Sequence, residues 1–298
     1  MNINFHSRNH FLILAFGGML IGFAPIFVKF SELSSSAISF YRMLLALPFL
    51  FMFNFILNKK VFFSVKNKKT ILYTAVASIA FTTDLTLWHY SMGITSVSNA
   101  TIIVNSAPIF VAILSFLFFK EKITKSFLLS FFVTYIGIVG LIYFSNNYFN
   151  GKVFGDILCL LAALFYGIYL LVIAKLGKEK SLNIIFYTTF FCCLFSIIPM
   201  ILEGGTIYPE SNFEWTNLFL MAFLCQFGGQ YFITYAIGKI SASGASIGLL
   251  MQPLTATILD VFFFSEFLNM LQIMFVLITL FGIYLARSTI TKQILKPD

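Results

Sequence analysis

Ten apolar segments, each about the length of a membrane-crossing helix, constrain this chain of 298 residues more than any other feature. A helix needs about 20 apolar residues to cross about 30 Å of hydrocarbon, and only short polar stretches separate the segments. The predicted spans are 11–30, 34–57, 71–92, 97–119, 126–145, 155–175, 183–202, 216–237, 243–264 and 270–287. The sequence therefore predicts an all-α polytopic membrane protein with ten transmembrane helices and no room for a soluble catalytic domain.

Composition agrees with a membrane environment, because 59% of the residues are hydrophobic and only 10% are charged. Soluble domains usually have about 25% charged residues. The first segment follows Arg8, contains Pro25 and lacks a small-x-small cleavage site, so we expect a retained helix and not a secretory signal. The 4 cysteines fall inside predicted helices and the 3 histidines are too few for a metal cluster, so we expect no disulfide, metal or cofactor.

The positions of the basic residues predict the orientation of the chain. If the N-terminus is cytoplasmic, sixteen of the 19 Lys and Arg residues fall on the cytoplasmic side. These residues are Arg8, Lys59, Lys60, Lys66, Lys68, Lys69, Lys120, Lys122, Lys125, Lys175, Lys178, Lys180, Lys239, Arg287, Lys292 and Lys296. The bias predicts a multi-pass protein of the inner (cytoplasmic) membrane with both termini in the cytoplasm. The net charge of +8 therefore does not indicate a nucleic-acid partner.

An internal repeat appears when the sequence is shifted by 145 positions. Twelve residues then match within the forty positions 84–123, without a gap. The matches are Tyr90 with Tyr235, Gly93 with Gly238, Ser96 with Ser241, Ser98 with Ser243, Ala100 with Ala245, Ile102 with Ile247, Pro108 with Pro253, Ile113 with Ile258, Leu114 with Leu259, Phe118 with Phe263, Phe119 with Phe264 and Glu121 with Glu266. We therefore predict two five-helix repeats, in residues 1–145 and 146–298.

An odd number of helices per repeat means that the second repeat enters the membrane from the opposite side. Inverted repeats are common in secondary transporters, in which two related halves rock about a midplane site and expose it to each side in turn. Some channels also contain inverted repeats. The repeat favours a transporter with a small-molecule substrate. We expect membrane lipids around it and either a monomer or a homodimer.

Three stretches carry the most distinctive residues: PIFVKFSELSSSAISFYRMLLALP (25–48), SVSNATIIVNSAPIFVAILSFLFFKEKIT (96–124) and ASGASIGLLMQPLTATILDVFFFSEFL (242–268). They resemble the EamA-type transporters of the drug/metabolite transporter superfamily. The shared elements are the arginine of FYR, helices four and nine centred on a proline, and an acidic residue that closes each of them. The resemblance implies ten helices with cytoplasmic termini and transport of small metabolites, often export of amino acids or related compounds, in many cases coupled to ions. It does not imply a particular substrate.

Asp84 lies in the middle of predicted helix three, where a charge costs about 2.5–3.5 kcal/mol unless it faces a polar interior. It could contact a substrate amine, exchange protons during transport, or form a structural hydrogen bond to a neighbouring helix. Trp88 shares its face at four residues' distance, so the two could form a pocket for a cationic or amphipathic substrate. A membrane-interface anchor fits Trp88 equally well. His89 lies about 140° from Asp84 around the helix, so we expect no direct relay between them.

Four amide side chains fall within predicted helices. Gln226 and Gln230 are four residues apart on one face of helix eight, and Asn105 and Gln252 each lie beside a central proline. Amides in a membrane seek hydrogen-bond partners, so each of the four could line a substrate cavity or join two helices.

Arg42 lies within predicted helix two, roughly 12 Å from the outer surface at the helical rise. It could contact an anion or form a gate pair with Asp84 or with Asp260, which lies about a turn from the outer end of helix nine. Alternatively, its long side chain could reach the outer headgroups.

Pro108 and Pro253 are predicted near the centres of helices four and nine. A proline there frees backbone groups that a protein-lined or water-filled cavity can satisfy, so we predict that the two residues mark the site and its hinge. Gly18 and Gly22 have the spacing of a close helix contact inside the protein. Helices five and ten, the most uniformly apolar, are expected at the periphery.

We predict a secondary active transporter that moves an amino acid, amine or related amphipathic metabolite by alternating access. Export is the expected direction, and proton coupling through Asp84 and Asp260 is a hypothesis. We expect no enzyme, because no cluster of catalytic groups is present, and no channel, because no continuous polar stripe follows several helices. A lipid flippase or scramblase stays open as an alternative, because the 40 phenylalanines suit a lipidic cargo as well as a hydrophobic core.

If Asp84 acts in transport, Asp84→Asn keeps the protein expressed and abolishes transport. The measurement is uptake into proteoliposomes of the compound that most raises the melting temperature in a metabolite screen. Glu210→Gln, which removes a carboxylate from a predicted outer loop, is the control and should transport normally. Normal transport by Asp84→Asn would contradict the prediction, and pH-independent transport by the unmodified protein would remove proton coupling.

Overall fold

The computed structural model describes residues 3–59, 68–92, 94, 103–120, 124–144, 153–177, 179–240, 242–264 and 270–295. All regular secondary structure in these ranges is helical, as the apolar composition predicts. The helices are α1 Ile3–Ile21, α2 Ala24–Lys29, α3 Ser35–Asn58, α4 Lys68–Met92, α5 Ala107–Phe119, α6 Lys125–Tyr143, α7 Val153–Lys175, α8 Ser181–Glu203, α9 Asn212–Met221, the π-helix π1 Ala222–Gly229, α10 Gln230–Ile237, α11 Ala242–Gly248, α12 Met251–Phe264 and α13 Met270–Leu295. The elements α9, π1 and α10 follow one another without a break.

Helices occur at all ten predicted positions. Among the residues that the structure describes, six helical stretches are long and apolar enough to cross a membrane: Asn9–Lys29, Ser35–Leu57, Lys68–Ser91, Val153–Lys175, Ser181–Glu203 and Asn212–Ile237. Four more are apolar but shorter within the described residues: Ala107–Phe119, Lys125–Gly140, Ala245–Ala256 and Ile273–Leu285. The prediction of an all-helical chain with several membrane-spanning helices is confirmed, and the crossing of all ten stays a prediction.

The prediction of continuous helices centred on prolines is wrong. Asn105 and Ser106 form a turn directly before α5, and Pro108 lies in the first turn of that helix. A second turn separates α11 from α12, so Pro253 also lies in a first turn. The physical reason is that proline lacks an N–H and has a fixed φ, which suit a helix start and disrupt a helix interior. The same break precedes Pro25 at the start of α2.

The main helix contacts correspond to one another under the 145-residue offset. The helix α4 packs against α7, and the segment from π1 to α10 packs against α1 in the same way. Likewise, α5 packs against α7, and α12 packs against α1. Two further large contacts are α3 with α8 and α6 with α13. Each of them joins two helices that the offset aligns with each other. The first and second halves of the sequence therefore make equivalent sets of contacts.

Glycines allow the closest of these contacts. A Cβ added to Gly137 of α6 would lie 2.7 Å from the backbone nitrogen of Thr279 in α13, and one added to Gly282 would lie 2.6 Å from that of Thr134. The offset exchanges these two contacts, since it aligns Gly137 with Gly282 and Thr134 with Thr279. Elsewhere, Gly22 packs against α12, which agrees with the predicted contact inside the protein.

Two carboxylates fasten the loop between α2 and α3 to the second half of the chain. Glu203 at the end of α8 accepts hydrogen bonds from the backbone N–H groups of Ser35 (3.1 Å) and Ser36 (2.8 Å), which begin α3. A negative charge at this position interacts favourably with the helix dipole. The buried Glu214 accepts a hydrogen bond from the Ser31 hydroxyl. One end of the bundle is thus closed by contacts between the two halves.

We expect Gly137→Ala to destabilise the protein by about 1–3 kcal/mol, the usual cost of overpacking a tight contact. The added methyl would meet the side-chain hydroxyl of Thr279 and, 2.7 Å away, its backbone nitrogen, so the backbone of α13 has to move. Gly18→Ala is the matched control, because the nearest atom to its Cβ would be 3.5 Å away, and alanine favours a helix by up to about 1 kcal/mol. Melting temperatures in detergent measure both, and an unchanged melting temperature for Gly137→Ala would contradict the tight α6–α13 contact.

Candidate functional site

Arg42 is buried in the interior of the bundle. Its side chain is 4% exposed, and its Nε donates a hydrogen bond to Oε1 of Gln226 in π1 (3.2 Å). The Gln226 amide donates in turn to the hydroxyl of Thr189 in α8 (3.0 Å). The alternative that Arg42 reaches the headgroups is therefore wrong. The guanidinium is held at one nitrogen, and this is its only hydrogen bond within the described part of the chain.

Asp84 is the second buried charge. It is 6% exposed, and it makes no hydrogen bond or salt bridge to any residue that the structure describes. Arg42 is close enough to Asp84 for their charges to attract each other. Tyr166 of α7 lies within range of both charges. The site thus contains two ionisable side chains of opposite type, and among the described residues Arg42 makes one hydrogen bond and Asp84 makes none.

Tyrosines of α7 accept hydrogen bonds from the predicted amides. The Gln230 amide donates to the hydroxyl of Tyr169 (2.7 Å), and the Gln252 amide donates to that of Tyr166 (3.3 Å). Phe81 of α4 stacks on Tyr169, with ring centroids 4.6 Å apart and an angle of 19° between the planes. The amides thereby connect α10 and α12 to a short aromatic stack near Arg42 and Asp84.

Trp88 and His89 lie next to each other along α4, beyond Asp84. Their ring centroids are 5.0 Å apart. His89 is 5% exposed, and its Nδ1 is 3.2 Å from the hydroxyl oxygen of Ser39 in α3. Trp88 is half-buried and packs against the central core.

The structure brings together most, but not all, of the residues predicted from the sequence. Arg42, Asp84, Gln226, Gln230 and Gln252 lie on helices that meet around the aromatic stack. Asn105 is half-buried in the turn before Pro108. Asp260 belongs to α12, but its side chain lies outside the described residues, as do Glu121 and Glu266.

Sequence reasoning missed several polar partners: Ser39, Tyr166, Tyr169 and Thr189. A serine or threonine in an apolar helix gives no signal of its own, because its hydroxyl can bond to the backbone of the preceding turn. A tyrosine there cannot be told from any other aromatic residue of the core. Tyr166 and Tyr169 are three residues apart and share a face of α7, which is the one pattern that could have indicated them. No group of His, Cys, Asp and Glu suited to a metal occurs within the described residues.

The polar site lies among helices whose contacts correspond under the 145-residue offset. The sequence model of the EamA-like transporter family matches the chain twice, over residues 10–143 and 153–288. The chain belongs to the EamA-like transporter family. It is therefore a multi-pass membrane protein of a transporter family, and the resemblance noted from its sequence is confirmed.

Relatives of this EamA-like transporter agree with the family. It is 23% identical to an uncharacterized transporter of Archaeoglobus fulgidus, over 95% of this chain and 98% of that protein. It is 25% identical to human solute carrier family 35 member G1, over 76% of this chain and 63% of the human protein. A solved crystal structure has the same fold with a TM-score of 0.80 at 11% identity, covering 93% of this chain and 98% of its own.

We expect Gln226→Leu to destabilise this EamA-like transporter by about 1–3 kcal/mol, because the charged Arg42 then loses its hydrogen-bond acceptor in a buried position. Gln252→Leu is the matched control and should cost less, since its 3.3 Å bond joins two neutral groups. Thermal unfolding in detergent compares the two variants. Equal losses would contradict the view that Gln226 holds the guanidinium.

Proposed function

We propose that this EamA-like transporter moves a small zwitterionic metabolite, such as an amino acid, by alternating access. The observation that supports the proposal most is the pair of buried, oppositely charged side chains, Arg42 and Asp84, near the aromatic stack. Charges inside a membrane protein are costly and usually mark substrate or ion pathways. Both come from the first half of the chain, whereas Gln226 and Tyr166 beside them come from the second half.

The chemistry of the pair suits a zwitterion better than a singly charged compound. A guanidinium binds a carboxylate through paired hydrogen bonds, and a carboxylate binds an ammonium group. A zwitterion matches both charges at once and leaves the site neutral. The rings of Phe81, Tyr166 and Tyr169 offer apolar surface and hydroxyl groups for the remainder of the molecule.

The proposed movement rests on inverted repeats. The twofold family match and the contacts that exchange under the 145-residue offset support two related halves, residues 1–145 and 146–298. Five helices per half would place the second half upside down relative to the first, an arrangement that alternating access commonly uses. We propose that the turns before Pro108 and Pro253 act as hinges.

We further propose a location in the cytoplasmic membrane with both termini inside, supported by the distribution of Lys and Arg. In this orientation the end closed by Glu203 and Glu214 faces outwards. Export is the proposed direction, by analogy with many EamA-type transporters. Asp84 is the proposed carrier of a coupling proton, because it is a buried carboxylate without a hydrogen bond among the described residues.

A lipid flippase is the alternative. Exposed phenylalanines on the helix surfaces fit a lipid cargo, and they fit ordinary contact with the surrounding bilayer equally well. Two buried charges oppose it, because a lipid tail gains nothing from them. Counterflow in proteoliposomes separates the readings: saturable exchange of labelled amino acid against unlabelled amino acid supports the transporter. Transfer of labelled lipid that amino acids do not inhibit would support the flippase.

The charge assignment is tested with the amino acid that a thermal-shift screen identifies, together with the amine and the acid that each lack one of its charges. We expect Asp84→Asn to weaken binding of the amino acid and the amine about 10- to 100-fold without affecting the acid. Arg42→Gln should weaken the amino acid and the acid instead. The control Glu210→Gln should change none, and equal effects of the two variants on all three ligands would contradict the assignment.

A further inference from the structure

Two buried ring atoms beside the charged pair have no partner. The indole Nε1 of Trp88 and the imidazole Nε2 of His89 are inaccessible to water and make no hydrogen bond within the described part of the chain. Buried polar atoms are almost always hydrogen-bonded, and those that are not call for a reason. Here the two unsatisfied atoms belong to consecutive residues whose rings lie side by side.

The hydrogen bonds around His89 indicate whether its Nε2 is a hydrogen-bond donor or an acceptor. The hydroxyl of Ser39 donates its one hydrogen to the carbonyl oxygen of Ser35 (3.2 Å). With that hydrogen directed to Ser35, the Ser39 oxygen is available as an acceptor 3.2 Å from Nδ1 of His89, and we assign the hydrogen of a neutral ring to Nδ1 on this ground. In this form Nε2 is an acceptor, whereas the indole N–H of Trp88 can only donate.

One class of chemical group satisfies both atoms. A hydroxyl or a primary amide both donates and accepts, so it can serve Nε2 of His89 and Nε1 of Trp88 together. A carboxylate has no hydrogen to donate, an ammonium group cannot accept, and a hydrocarbon can do neither. The ring pair therefore matches a neutral polar group.

The ring pair is close enough to the charged pair for one small molecule to reach both. Trp88 follows Asp84 by four residues, about 6 Å along the helix axis, on the same face of α4. Arg42 is within electrostatic range of His89 as well as of Asp84. On α3, Ser39 precedes Arg42 by one turn. The helices α3 and α4 therefore place neutral polar side chains one turn away from Arg42 and Asp84.

We propose that Trp88 and His89 select the cargo by a hydroxyl or amide group in its side chain, while Arg42 and Asp84 bind its charged head. The inference rests on the proposed transport of zwitterions. Because the two ring atoms are closed off in this conformation, the cargo reaches them when the helices separate during alternating access. Release of Ser35 and Ser36 by Glu203 would free the start of α3, and with it Ser39, from its present position.

The test uses the 2 tryptophans of the chain as separate reporters. Trp215→Phe leaves Trp88 as the only tryptophan, and Trp88→Phe leaves Trp215, which lies against Tyr41 and Tyr208. Threonine is titrated against valine, and asparagine against leucine, because the members of each pair have similar shapes and differ in hydrogen-bonding groups. Ligand binding is followed by tryptophan emission and, independently, by thermal shift.

We expect Trp88 emission to change with threonine or asparagine, and the polar member of a pair to bind at least about 10-fold more tightly than its apolar partner. Trp215 emission should not change. His89→Phe should abolish the preference, and His89→Gln, whose amide can reach the position of Nε2, should retain part of it. The milder Trp88→Phe, followed by thermal shift, should reduce the preference while keeping an aromatic ring.

Three results would overturn the inference. Equal affinity for valine and threonine, and for leucine and asparagine, would show that the ring pair selects nothing while leaving zwitterion transport intact. An unchanged preference in folded His89→Gln, His89→Phe and Trp88→Phe would assign the selection to other residues. If none of the four amino acids binds, the zwitterion proposal fails and this inference fails with it.

Discussion

Every backbone N–H and C=O group in a lipid bilayer needs a partner inside the protein, and this requirement shapes the whole structure. The chain meets it with helices, and it interrupts them before Pro25, Pro108 and Pro253, where the next helix begins. Irregular backbone is tolerated at membrane depth only where protein or water surrounds it. The first turns after two of these breaks pack against glycines of other helices: α5 lies against Gly167, and α12 lies against Gly22. The breaks are therefore inside the bundle.

The interior that shelters this backbone also shelters two charges. A buried charge is expensive to leave without partners, yet Arg42 has one hydrogen bond and Asp84 has none among the described residues. Their mutual attraction compensates for part of the cost. In the proposed function, a zwitterion would form hydrogen bonds with Arg42 and Asp84 that the described residues do not, and these bonds would contribute to its binding. A site satisfied entirely by protein would have less to offer a substrate.

The predictions from the sequence succeeded where a pattern had a single physical cause. Long apolar segments predicted the helices because each must both cross the lipid and satisfy its own backbone. The offset of 145 aligns Gly137 with Gly282, and the structure places both glycines in the contact between α6 and α13. The predictions failed where two structures were compatible with one pattern. Pro108 and Pro253 can kink a helix or begin one, and only packing against neighbouring helices decided in favour of a new start.

The amides show how much of the site could be predicted from the sequence. Gln226 and Gln230 were predicted on one face of the eighth predicted span, 216–237. In the structure, Gln226 bonds to residues of α3 and α8, whereas Gln230 bonds to a residue of α7. Ser39 and Thr189 became visible as partners only once separate helices were side by side. The sequence by itself determined the helical class, the family and the presence of ionisable residues within apolar helices, because these depend on local composition and spacing. The tertiary structure alone decided which charge meets which amide and which ring atoms lack partners, because hydrogen bonds between helices join residues that are far apart in the chain.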